Sequence, residues 1–112
     1  MSLTFADLPL RKETIAALAE HGFTSPFPIQ EMVMPIALAD GDVIGQAKTG
    51  TGKTLAFGIP VIERVIAPND SDWAQLPNQG KPQVLVVVPT RELCVQVTKD
   101  IEELSFNRGI RT

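Results

Sequence analysis

Apolar residues recur at helical spacing in four stretches of the chain and run together in two. Residues 11–21 place Ile15, Leu18 and Ala19 on one face, with Gly22 positioned to end the helix. "FTSPFPIQ" follows. Pro26 resists helix, whereas Pro28 suits a first helical turn and puts Gln30 in that turn. This second helix continues through Met32 and Met34 and is expected to bend at Pro35. "DGD" at 40–42 is a turn, and "VIGQA" at 43–47 reads as a short buried strand. A helix is predicted from Lys53 to Ile66, with Pro60 inside it as a kink. The polar, proline-rich residues 67–82 read as a surface loop tacked down by Trp73 and Leu76. "QVLVVVP" at 83–89 is the clearest strand, and its unbroken Val/Leu run predicts burial on both faces. Residues 90–104 then form an amphipathic helix, with Leu93, Val97, Ile101 and Leu104 spaced by four, four and three. "IRT" has the look of another strand beginning. Strands alternating with helices imply an α/β fold built on a parallel sheet flanked by helices.

Composition narrows the class without changing that picture. The chain has 112 residues, 44% hydrophobic and 21% charged, enough for one small domain. Its net charge of −3 excludes a globally basic surface, so any nucleic-acid binding must be built locally. The single cysteine, Cys94, allows no internal disulfide and fits a reducing compartment. The N-terminus lacks the apolar core of a signal peptide, and "VLVVV" is far too short to cross a membrane. A soluble, cytoplasmic protein without membrane contact is expected.

Chemistry concentrates at "AKTGTGKT", residues 47–54, between a strand and a helix. That context suits a phosphate-binding loop. Backbone N–H groups of Gly50, Thr51, Gly52 and Lys53 can surround an anion, and the helix N-terminus adds positive potential. Lys53 would reach the β- and γ-phosphates, and the Thr54 hydroxyl would ligate Mg²⁺. Ala47 stands where the strict pattern has glycine, six residues before the lysine, and is small enough to serve. A glycine-rich turn that merely caps a helix is the plain alternative. The loop by itself indicates a nucleoside triphosphate, not which base.

Gln30 addresses the base. A glutamine amide can donate to one ring position of adenine and accept from its amino group, a pattern that mismatches guanine. Phe23 offers an aromatic face. Taken alone, Gln30 could equally be a solvated helix residue and Phe23 a core aromatic.

The ordered set of segments resembles the DEAD-box RNA helicases. "GFTSPFPIQ" at 22–30 looks like that family's Q motif, and Phe5, 17 positions before Gly22, matches its isolated upstream aromatic. "AKTGTGKT" at 47–54 resembles motif I, and "PTREL" at 89–93 resembles motif Ia. The resemblance runs from about Phe5 to the C-terminus. It implies a partial RecA-like phosphate-loop NTPase domain, truncated after the second strand–helix unit. Gln30 would read adenine, Phe23 would stack on it, and Phe5 would support the pocket. Ala47, Lys48, Thr49, Gly50, Thr51, Gly52, Lys53 and Thr54 would hold ATP and Mg²⁺, with Lys53 and Thr54 the nearest to a catalytic role. Pro89, Thr90 and Arg91 would meet the RNA sugar-phosphate backbone. That placement has physical sense, because ligands bind at the carboxyl ends of strands in open α/β sheets. The plain alternatives are a helix N-cap for Thr90 and a solvated charge for Arg91.

The Asp-Glu-Ala-Asp and Ser-Ala-Thr sequences and a second RecA-like domain are absent from the 112 residues. The chain is therefore expected to be a fragment, marginally stable alone, from an ATP-dependent RNA helicase that couples hydrolysis to local duplex unwinding. By itself it would bind adenine nucleotide at best. A non-catalytic nucleotide- or partner-binding fragment is the second reading. A phosphate-loop kinase is the third, and it must treat "GFTSPFPIQ" and "PTREL" as accidents.

Overall fold

The computed structural model describes residues 3–47, 52–77 and 79–112. Four helices carry the fold: α1 (Lys12–Glu20), α2 (Pro28–Leu38), α3 (Lys53–Arg64) and α4 (Arg91–Ser105). α1, α3 and α4 lie within two residues of their expected bounds, and α2 begins at Pro28 as expected. Pro28 occupies the first turn of α2, where its missing N–H costs nothing. Gly22, at φ +82°, follows α1 in the left-handed conformation that glycine adopts without strain. Pro35 and Pro60 lie inside α2 and α3. Two short 3-10 turns, Phe5–Asp7 and Trp73–Gln75, were not signalled by periodicity.

The helix α3 is central. It packs against α2 on one side and α4 on the other, and α4 also packs on α1. Leu18, Met34, Ile59 and Ile62 are fully buried between these helices, with Val97, Ile101 and Leu104 from α4 beside them. Phe5 joins this core at 2% exposure, and its backbone N–H donates to the Thr24 carbonyl at 3.1 Å.

A buried polar cluster fastens the loop after α3. Arg108, 3% exposed, donates to the carbonyls of Ile62 and Val65 and pairs with Asp70 at 2.6 Å. These carbonyls lie in the last turn of α3 and just beyond it, so the guanidinium serves as a C-terminal cap. Arg11 reaches the same Val65 carbonyl and the same Asp70 carboxylate. Glu63 accepts from the Thr14 hydroxyl and the Arg11 backbone N–H, joining α1 to α3. The loop is thus anchored chiefly through Asp70. Gln83 secures its far end, exchanging two hydrogen bonds with the Ile66 backbone.

The two expected strands form no ladder. Among the described residues there is no β-strand, and no backbone hydrogen bond joins 43–47 to 82–88. The expected burial of these segments is likewise not found: Ile44 is 100% exposed, Leu85 86% and Val87 82%. A strand is buried by what lies against it, and no described residue covers these side chains. The accessible surface records the same openness. It is 7701 Å², against roughly 6,000 Å² for a typical folded monomer of this mass.

Candidate nucleotide site

The candidate site lies where α2 and α3 begin. Gly52 caps α3 at φ +84°, a left-handed conformation in which a side chain is strained. There is also no room for one. A Cβ built on Gly52 would clash with Gln30 Nε2 and stand 2.5 Å from Phe27 Cδ2. Glycine at 52 is required on both counts.

Gln30 bridges the two helix starts. Its Oε1 accepts from the Phe27 backbone N–H at 3.0 Å, and its Nε2 donates to the Gly52 carbonyl at 2.9 Å. These two partners fix the amide orientation, since a flipped amide would oppose donor to donor and acceptor to acceptor. A primary amide has two donors and two acceptor lone pairs. One of each is spent, leaving one donor and one acceptor. Gln30 is 1% exposed, so a ligand meets them only after surrounding side chains shift. Sequence reasoning singled out Gln30 but not this bridge, because nothing local in the sequence pairs residue 30 with residue 52.

Two helix N-termini near the expected ligand sites differ in their electrostatics. At α3 no side chain caps the first turn and no acidic residue lies in it. Among the described residues nothing caps its leading amides, a setting that suits an anion. Lys53, the first helical residue, is exposed, and Thr54 beside it is half-buried. At α4 the Thr90 hydroxyl accepts from the Leu93 N–H at 3.2 Å, and Glu92 sits in the first turn. Thr90 is thus an N-cap, and Glu92 opposes negative charge there. Pro89, Thr90 and Arg91 are nevertheless all exposed, at the end of the extended 82–88 segment.

The remaining expected site residues are dispersed. Phe23 is 40% exposed, just after α1, while Phe5 is in the core. Ala47 is half-buried at the end of the first extended segment. Lys48, Thr49, Gly50 and Thr51 lie outside the described residues. The structure adds Phe27, 48% exposed and against Gly52, which the sequence reading did not single out. Its place in the nine-residue stretch ending at Gln30 was the available signal.

These features fit a nucleotide better than a plain helix cap: a helix start with glycine as its N-cap, an exposed lysine, and a polarised amide tied to that glycine. Among the described residues no helix is long and apolar enough to cross a membrane. The described residues bring no three His, Cys, Asp or Glu side chains together in a metal-binding group. A metal here would be held through Thr54 and the ligand's own phosphates.

Known proteins similar to the chain belong to one family. The DEAD/DEAH box helicase family profile matches residues 27–112. The DEAD-box ATP-dependent RNA helicase CshA of Geobacillus kaustophilus is 42% identical over 108 residues, covering 96% of this chain and 21% of the relative. DEAD-box ATP-dependent RNA helicase 3B, chloroplastic, of Zea mays is 49% identical over 108 residues, covering 96% of this chain and 14% of the relative. Among solved structures, a DEAD box protein from Methanococcus jannaschii superposes with a TM-score of 0.77 at 33% identity. The match covers 100% of this chain and 28% of that one. The fold is thus of the RecA-like α/β class expected from the sequence. The chain spans about a fifth of the length of the first of these curated relatives and about a seventh of the second.

Proposed function

The chain belongs to the DEAD/DEAH box helicase family, and on that premise we propose that it is the ATP-binding segment of an ATP-dependent RNA helicase. The observation that carries this reading is the Gln30 bridge. Its remaining donor and acceptor match adenine N7 and the adenine amino group, whereas guanine presents two acceptors on that edge. The same side chain is bonded to Gly52, so the base and the phosphates would be held by one connected unit. The leading amides of α3 and Lys53 would hold the phosphates, and Thr54 would face Mg²⁺. When bound, Mg²⁺ would neutralise phosphate charge. Phe23 would lie along the base, with Phe5 supporting the pocket from the core. Ala47, Lys48, Thr49, Gly50 and Thr51 would complete the loop.

Pro89, Thr90 and Arg91 would meet the RNA backbone without reading sequence. Arg91 would supply the attraction, since Glu92 weakens the helix terminus as an anion site. In the longer protein, ATP binding and hydrolysis would drive local strand separation of RNA.

Calorimetric titration with ATP and GTP tests the reading. ATP should bind more tightly, by roughly the 1–3 kcal/mol of one bidentate base contact. Gln30→Ala should remove that preference. Equal affinity for the two nucleotides in the unaltered chain would contradict it.

A further inference from the structure

We propose that Phe27 is a positioning residue for the phosphate end of this site. Its ring shields the Gln30–Gly52 hydrogen bond from water and holds the first turn of α3 in register. The inference rests on the nucleotide-binding reading and deepens it.

Phe27 occupies the N-cap of α2, where Ser, Thr, Asp or Asn are favoured because their oxygens can accept from the first amides. A phenyl ring has no such acceptor, and no side-chain cap bond forms. Helix α2 therefore gains nothing from an aromatic here, and at 48% exposure the ring is not a core residue either. What it touches is Gly52, with Phe27 Cδ2 2.5 Å from where a Cβ would stand. The Phe27 N–H donates to Gln30 Oε1, so the backbone that carries the ring is fixed to the bridging amide.

The Gly52 carbonyl is the joint between the two helices. It accepts from Gln30 Nε2 at 2.9 Å and from the Ala56 N–H at 3.2 Å, the first backbone hydrogen bond of α3. A hydrogen bond screened from water is electrostatically stronger than an open one. The apolar ring lies against Gly52 on its Cβ side, where it would keep out the competitor that would weaken both bonds. Without the ring, water reaches the carbonyl and the first turn frays. The amides at Lys53 and Thr54 then lose their fixed direction. The base-reading valences of Gln30 are set by its own two partners, so base choice should survive.

Amide hydrogen exchange in the unaltered chain, Phe27→Ala and Phe27→Leu tests this, together with titrations of AMP, ADP and ATP. Ala56 reports the joint. Val65, whose N–H donates to the Val61 carbonyl at 3.2 Å, reports the far end of α3. In Phe27→Ala, exchange at Ala56 should speed up about tenfold, equivalent to one 1.4 kcal/mol step, while Val65 changes less than twofold. Affinity for ADP and ATP should fall severalfold with AMP nearly unchanged. Phe27→Leu, which retains an apolar cover, should recover most of both losses. Unchanged exchange at Ala56, or equal acceleration at Ala56 and Val65, would overturn the proposal. Equal loss of all three nucleotides would also overturn it, by assigning the ring to the base. If the unaltered chain bound no nucleotide, the underlying reading would fall, and the exchange pattern would still judge the ring's hold on Gly52.

Discussion

The helical layer and the extended segments of this protein are built from equally apolar sequence and end in opposite conditions. Ile59, between α2 and α4, is 0% exposed; Leu85, in the run "VLVVV", is 86% exposed. The difference lies in partners. A helix satisfies its backbone internally and needs only one neighbour for its apolar stripe. A strand needs a neighbour for its backbone and others for each face. The candidate nucleotide site sits on the helical side of this divide. Gly52, Gln30 and Phe27 are held by contacts between α2 and α3 and owe nothing to a sheet.

Substitutions can break or sharpen this contrast. The largest effect is expected at Ile59→Ala, where a fully buried side chain is lost from the centre of the helical layer. About 4 kcal/mol of unfolding free energy should disappear in a denaturant titration. Arg108→Ala should follow at about 3 kcal/mol, because it uncaps α3 and takes from Asp70 the nearer of its two guanidinium partners, leaving Arg11 at 3.5 Å. Gly52→Ala should cost about 2 kcal/mol through its left-handed backbone, with further loss from the clash with Gln30. It should also abolish nucleotide binding, read by the same titration with ATP. By contrast, Leu85→Ala should change stability by less than about 0.5 kcal/mol. A loss comparable to that at Ile59 would show the extended segment to be packed, and the contrast would collapse.

The smallest effect concerns Asp100 on α4. Burial holds its carboxyl above the ordinary value of 3.8, the negative charge of Glu103 adds to this, and Lys99 opposes it. A raised value in the folded state means that protonation favours folding. That contribution is complete below 3.8 and is lost as pH rises through the folded value. Asp100→Asn should therefore stabilise the protein near neutral pH. In thermal melts across pH, the gain should fade as pH falls through the folded value and be gone below 3.8.

The helices were legible because their signals are local. The spacing of Leu93, Val97, Ile101 and Leu104 specifies α4, and Pro28 and Gly22 mark helix ends. The motif residues were legible for the same reason, as short strings in a fixed order. What escaped was set by distant pairs. Arg108 meets Ile62, Val65 and Asp70 across 38 to 46 residues, and Gln30 meets Gly52 across 22. No periodicity encodes such partners. Burial of "VLVVV" was misjudged for a related reason: an apolar run states what a segment can bury, and its neighbours decide whether it does.

Residue-resolved hydrogen exchange on the unaltered chain tests the central contrast most directly. Amides along α3, including Ala56 and Val65, should be protected, and residues 43–47 and 83–88 should exchange near unprotected rates. Protection of Leu85 and Val87 equal to that of α3 would contradict the contrast.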